Sequence, residues 1–279
     1  MLRLAAFADE ISPDLDVQIE HLKKNGIGYL ELRGVAGQNV LDFGPALRRE
    51  IKTKLADHGL AVACIGSPIG KVKLNESFEK HFDRFKIAVE LAEYFGTSLI
   101  RIFSYYPAEG RTHADLVAQG RAEVLRRMQR KLDYVAGRPI VLVHENEANI
   151  YGETAEQCLD LHQQLPSPQF RAAFDFGNFV LANEDPARNW PMLKPYVAHF
   201  HIKDAVTATR KIVPAGEGDG QIGEILQDAQ ASGYRGFLTL EPHLAAAGQF
   251  SGFSGPDLFA RSVQAMRQVA RARGIPLDH

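Results

Sequence analysis

The chain predicts an α/β protein folded as a (βα)8 TIM barrel, on three observations. Eight short runs rich in apolar and β-branched residues recur along it, helical patterns separate them, and its 279 residues suit one such barrel. Strands that alternate with helices pair in parallel, because each needs a crossover before the next. The competing closure, an open doubly wound sheet, would want a glycine-rich turn after the first strand. The sequence there is "FADEISPD" instead. With no long linker, low-complexity stretch or like-charge block, the reading is one catalytic domain over residues 1–279.

The first strand is read at 2–8. Ser12-Pro13 then reads as an N-cap with proline at N1, with Leu15, Ile19 and Leu22 on one helical face and Gly26 past the end. Strands two, three and four are read at 28–34, 60–66 and 98–104. Before the fourth, Phe78, Phe82, Phe85, Val89 and Ala92 step by threes and fours until Gly96 stops the helix. Leu125, Met128, Leu132 and Val135 do the same before Gly137. Strands five to eight are read at 139–145, 171–176, 198–204 and 236–242. The glycine-rich "PAGEGDGQIG" after strand seven reads as a flexible loop leading into a helix at Gln221.

Composition narrows the function. Apolar residues make up 45% and charged residues 24%, ordinary for a globular enzyme with a large core. A net charge of −2 and a pI near 6.6 offer no footprint for nucleic acid or an anionic membrane. Cys64 and Cys158 are too few for a disulfide framework, which points to a reducing cytoplasm. The apolar start meets Asp9-Glu10 too early for a signal peptide, and no run reaches the ~18 residues that would span a membrane.

Barrel enzymes place their chemistry at the C-terminal strand ends. Strand five ends in Glu145, six in Asp175, seven in His201 followed by Lys203-Asp204, and eight in Glu241. Alternation puts Glu145 on a face with Val143 and Val141, His201 with His199, and Glu241 with Thr239. Three converging carboxylates and an imidazole would repel without a cation, and a divalent metal resolves that conflict. Oxygen-rich ligation with one histidine suits Mn²⁺, Mg²⁺ or Co²⁺, and Zn²⁺ accepts it. Such an ion polarises a carbonyl, and Glu145 and Glu241, flanking the site, are the candidate acid/base pair. Glu31 and Arg33 read either as a rim pair, with Arg33 toward substrate hydroxyls, or as an internal salt bridge. Ser67 after strand three and "SYYP" (104–107) after strand four offer hydroxyls and aromatic faces to a sugar. His144 should point away from the barrel, and His243 is a group that would support Glu241.

These residues resemble a known family. "FADEIS", "GIGYLELRG", "VHENEANIYGET", "FDFGNF", "HFHIKDA", "PAGEGDGQIGEIL" and "GFLTLEPH" together resemble the sugar phosphate isomerase/epimerase family of the xylose isomerase-like TIM barrel superfamily, over most of the chain. The resemblance implies one divalent ion held by Glu145, Asp175, His201 and Glu241, with both glutamates as acid and base. It also implies substrate contacts from Glu217 and from Lys203, close to the metal. The ketose 3-epimerase branch has His, Glu and Arg where this chain has Asn178, Tyr151 and Thr207, which counts against free-ketose 3-epimerisation; Asn178 then reads as a substrate contact. The "HxKD" form resembles branches acting on other keto sugars or cyclitols, inosose dehydratase-like and hydroxypyruvate isomerase-like.

The reading is therefore a metal-dependent isomerase or epimerase of a small carbohydrate, working by proton transfer next to a carbonyl. A dehydratase with the same machinery is the rival. A DNA-repair endonuclease of the related branch would need more histidines and a basic groove, and a barrel that has lost catalysis would be a binding protein. A homo-oligomer stays open.

Overall fold

The computed structural model describes residues 1–247 and 252–278, and all eight runs are strands. They are β1 (Leu2–Ala6), β2 (Tyr29–Leu32), β3 (Ala61–Ile65), β4 (Leu99–Ile102), β5 (Val141–Glu145), β6 (Phe170–Asp175), β7 (Val197–Ile202) and β8 (Phe237–Leu240). Each pairs in parallel with the next. β8 returns to β1, with Arg3 opposite Phe237 and Ala6 opposite Leu240, so the sheet closes. Leu277–Asp278 adds a short parallel pairing to the start of β1.

Around the barrel run α1 (Leu15–Lys24), α2 (Pro45–Asp57), α3 (Phe78–Phe95), α4 (Arg121–Val135), α5 (Ala155–Gln164), α6 (Phe176–Leu181), α7 (Pro186–Leu193), α8 (Ile222–Ala231) and α9 (Gly255–Ala272). Their apolar stripes bury against the outer strand faces in one continuous core. The α3 stripe is buried at all five expected positions, and Gly96 ends the helix in a left-handed conformation. In α4 the buried stripe begins at Val124, while Leu125 is half-buried. α1 corrects the sequence reading. Its cap is Asp14, not Ser12, because the Asp14 carboxylate accepts both the Asp16 and Val17 amides, at 2.9 and 3.1 Å.

The barrel interior is filled by small layers. Ala5, Ala63 and Phe237 form one with Tyr29 and Leu99; Cys64, Val143 and Ala173 form the next with Val141. At the N-terminal end the Arg3 guanidinium lies 3.9 Å from the Phe237 ring centroid. Polar groups gather toward the C-terminal mouth, with His199 and Thr239 buried 3.0 Å apart. No helix among the described residues is long and apolar enough to cross a membrane.

Two buried histidines outside the barrel mouth, His81 and His162, each favour loss of stability in acid. His81 Nε2 accepts the Gly70 amide at 2.9 Å and is pushed down to about 3 by burial, then by Lys131 and Arg127. His162 stacks on Tyr196 at 4.8 Å and is likewise lowered to about 3, by burial and then His144. Both values lie below the ~6.5 of an unfolded histidine, so between the two the unfolded chain binds more protons. Their stabilisation is complete above pH 6.5 and is lost as pH falls toward 3. Each contributes a loss of up to ~1.4 kcal/mol per pH unit at the steepest between pH 7 and 5, opposed by Glu10, whose raised carboxyl binds a proton in the folded state over the same range. His81→Gln, which keeps an acceptor for Gly70 without titrating, should remove its share of that loss. Thermal melts of wild type and His81→Gln whose Tm values run parallel from pH 7 to 5 refute the assignment.

Candidate metal centre

β5 and β6 are locked together at their C-terminal ends by Asn146. Its amide oxygen accepts the Asp175 N–H at 2.9 Å, and its amide nitrogen donates to the Asp175 carbonyl at 3.0 Å. Asp175 caps α6: its Oδ1 accepts the Asn178 amide at 2.7 Å. Capping consumes one carboxylate oxygen and leaves the other, Oδ2, facing the barrel axis. The Asn178 side chain donates to the Asn146 carbonyl at 2.9 Å and to Glu145 Oε1 at 3.3 Å. Asn178, expected at the substrate, thus holds Glu145 in place.

Glu145, Asp175, His201 and Glu241 meet at the mouth, with one ligand atom of each within 4.8 Å of all the others. All four are nearly or fully buried. His201 turns Nδ1 inward, 3.1 Å from Glu145 Oε1, 3.8 Å from Glu241 Oε2 and 4.0 Å from Asp175 Oδ2. Its Nε2 faces Glu31 Oε2 at 3.2 Å, and the same oxygen takes His199 Nε2 at 2.7 Å. A carboxylate behind a ligating imidazole fixes its tautomer and ring orientation. Glu31 and Arg33 therefore do not form the mutual salt bridge considered from sequence. Arg33 instead reaches Asp9 Oδ2 through Nε and Glu241 Oε1 through Nη1, both at 2.8 Å. A register shift between Leu30 and Glu31 accompanies this separation.

Three buried cations surround the carboxylates. Lys203 Nζ lies 3.0 Å from Asp175 Oδ2 and 2.9 Å from Glu241 Oε2. Arg101 Nη1 lies 3.2 Å from Glu145 Oε2 and 3.7 Å from Glu241 Oε1. Lys203 reaches the site by passing over Gly177, where a Cβ would stand 2.6 Å from its Cγ. Burial tends to raise Glu241, but Lys203 and His243 outweigh it and hold the group well below the usual carboxylate range. Glu145 is likewise held low, by His201 and Arg101 against burial. Asp175 goes the other way: burial raises it, more than Lys203 lowers it, and Glu145 and Glu241 add to the rise. Asp175 is thus the carboxylate whose charge the surrounding cations compensate least. Glu145 Oε2, Asp175 Oδ2 and His201 Nδ1 have these ion-pair contacts but are buried without a well-aligned hydrogen bond. A divalent ion ligated by these residue types would meet both deficits, so the residues fit one.

Other expected residues lie elsewhere. The Ser67 hydroxyl is fully buried and donates to the Arg101 carbonyl, so it is committed to backbone rather than open to a sugar. Glu217 is exposed and pairs with Arg261 at 2.9 Å. The glycine-rich loop carrying it is tied down rather than free, because the Asp204 carboxylate accepts the amides of Gly216, Gly218 and Gly220 at 2.8, 3.2 and 2.9 Å. A Cβ on Gly218 would meet Asp204 Oδ1 at 2.4 Å, so only glycine lets the backbone come this close. α8 follows with Gln221 as its N-cap, as expected. Tyr105 and Ser104 are buried: Tyr105 accepts from Lys131, and Ser104 lies 2.8 Å from His144, which points away from the mouth as expected. Tyr151 donates to Asp160 at 2.6 Å, outside the cluster. His243 lies 3.5 Å from Glu241 Oε1 and 3.2 Å from Glu10 Oε1.

Arg101, Asn146 and Glu10 went unread. Arg101 had a signal: a lone charge in "SLIRIF", two residues beyond an inward leucine, on the face that turns into the barrel. Glu10 sits just past β1, fully buried, and is pushed up to about 8 by burial despite Arg33. No pattern in the sequence marks it.

A model of the xylose isomerase-like TIM barrel family matches residues 19–269. The chain belongs to that family. Among curated proteins it is similar to 3-dehydroshikimate dehydratase of Bacillus anthracis, 25% identical over 191 residues. That match spans 68% of this chain and 66% of the relative, just under two thirds of its length. Among solved structures it is similar to a D-tagatose 3-epimerase-like protein, with TM-score 0.76, 15% identity and 98% of each chain covered. A family member from Mycobacterium smegmatis, solved in complex with magnesium, aligns with TM-score 0.72 and 18% identity over 99% of this chain and 98% of that one. At such identities the structural likeness shows the barrel alone.

Proposed function

We propose that this chain is a divalent-metal-dependent enzyme that removes a proton next to the carbonyl of a keto sugar or keto cyclitol and then expels water. The observation that carries it is the buried quartet of Glu145, Asp175, His201 and Glu241 with Lys203 in contact. A bound divalent ion supplies Lewis acidity toward a carbonyl oxygen. Glu145 and Glu241 approach from different strands, and the cations around them keep both ionised, the form a general base requires. One glutamate takes the C–H proton, and the electron pair moves onto the carbonyl oxygen. As the carbonyl re-forms, the C–O bond to the β-hydroxyl breaks. The proton taken up goes to the departing hydroxyl, leaving an unsaturated ketone, water and the site as it began. Lys203, beside Asp175 and Glu241, provides the fixed positive charge that the enolate oxygen needs.

Returning the proton to carbon instead gives isomerisation or epimerisation from the same site. Dehydration takes precedence because the curated relative carries that name and because positions 151, 178 and 207 depart from the ketose 3-epimerase pattern. The test is proton NMR in D₂O on protein loaded separately with Mn²⁺, Mg²⁺, Co²⁺ and Zn²⁺. Ketoses, ketose phosphates, 3-keto-glycosides, inososes and 3-dehydroshikimate make up the panel. An unsaturated product with a carbonyl-conjugated absorbance supports the proposal. Deuterium at the α-carbon without loss of water replaces dehydration by isomerisation, and no exchange on any member overturns both.

A further inference from the structure

A cavity of about 420 Å³ opens beside the quartet, lined by Asp9, Arg33, Gln38, Asn39 and Phe253 among others. That volume falls within the ~300–1,000 Å³ typical of small-molecule sites. We propose that this cavity is a second sugar subsite, so that the substrate of the reaction proposed above carries a further neutral, polyhydroxylated ring beyond the reacting one. The inference rests on that reaction for its reacting ring but on different residues for its evidence.

Position comes first. Arg33 bridges the two places, with Nη1 on Glu241 Oε1 at 2.8 Å and its side chain in the cavity wall. The cavity wall and the proposed acid/base group therefore share the Arg33 side chain. Polar chemistry is the second argument. Behind the wall, Arg33 Nη2 and Asp9 Oδ1 are buried without a hydrogen bond, and Nη2 faces Glu10 Oε1 at 3.8 Å. Arg33 and Asp9 are already ion-paired at 2.8 Å. An anion would meet the Asp9 charge. Gln38 and Asn39 add amide groups to the wall, so a neutral ligand whose hydroxyls both donate and accept suits it better than an ion.

The remaining wall suits a sugar face. Phe253 is 42% exposed, and besides Met1 it is the only large hydrophobic residue so exposed among the described residues. An exposed ring at the edge of a polar cavity offers a platform for the C–H face of a pyranose. The wall also includes the tight hairpin of Gly34–Val35 and Gln38–Asn39, whose turn residues Ala36 and Gly37 are left-handed at φ 54° and 70°. A two-residue turn of this kind holds the wall in place.

The metal-loaded protein is assayed with 3-keto-glucose and with 3-keto-trehalose, and kcat/KM is compared. The disaccharide is expected to be preferred about tenfold, and Phe253→Ala and Gln38→Ala each to shrink that ratio severalfold. Damage to the reacting site would lower both substrates together and leave the ratio unchanged. A wild-type ratio near one, or a ratio untouched in both variants, overturns the subsite while the proposed reaction stands. If neither ketone reacts, saturation-transfer NMR with trehalose decides the subsite without catalysis. Ring-proton signals in the wild type that weaken in Phe253→Ala support it, and signals that are absent or equal in both proteins refute it.

Discussion

Glu241→Gln is expected to lower kcat about 10²- to 10⁴-fold at saturating metal, the range by which a positioned general acid or base speeds proton transfer. Glutamine keeps the shape but cannot carry the proton. Glu241 is also where three networks join: Arg33 at 2.8 Å, Lys203 at 2.9 Å and His201 at 3.8 Å. The substitution should therefore weaken metal binding too, and the two effects must be separated. Titrating Mn²⁺ by calorimetry gives affinity, and kcat measured above that Kd gives chemistry. Glu145→Gln should behave alike, since Glu145 faces the same imidazole at 3.1 Å. Turnover at wild-type rate in either saturated variant would remove that glutamate from the proton-transfer step.

Arg101→Met should produce the largest loss of stability. The guanidinium is fully buried against Glu145 and Glu241, and burial of its own charge is offset by those two carboxylates and Glu31. Removing one partner of a buried ion pair costs about 3–5 kcal/mol, because the remaining charge keeps its desolvation penalty. For a chain of this size 1 kcal/mol moves Tm by roughly 2–4 °C, so a drop of about 10 °C is expected. Melts in chelator and in excess Mn²⁺ distinguish the cause. A cation ligated by the quartet would restore part of the charge balance, so the deficit should narrow with metal. An unchanged Tm in chelator would show that Arg101 does not hold the carboxylates together.

The barrel and its quartet were legible because both follow from local periodicity. Alternation along β5 carries Val141 and Val143 into the barrel and so carries Glu145 inward, and His199 and His201 obey the same rule on β7. Glu241 stands one residue past β8, where strand reading reaches its usual margin. What sits next to the quartet was less legible. Ser67 and Glu217 looked available because loop hydroxyls and carboxylates often are, yet one is bound to a carbonyl and the other to a surface arginine. The glycine-rich loop looked loose because nothing in its own residues shows Asp204, which lies twelve positions before Gly216 and binds it.

By itself the sequence determined the strand order, the C-terminal mouth and the four residues that meet there. Side-chain period and the parallel crossover rule act within a few residues of each position. Tertiary structure alone decided that Arg33, Arg101 and Lys203 come from three strand ends to surround those four, and that Glu31 stands behind His201. Such pairings join residues up to 208 positions apart. Charges pair according to where closure of the barrel places them, and the spacing between them along the chain carries no trace of that distance.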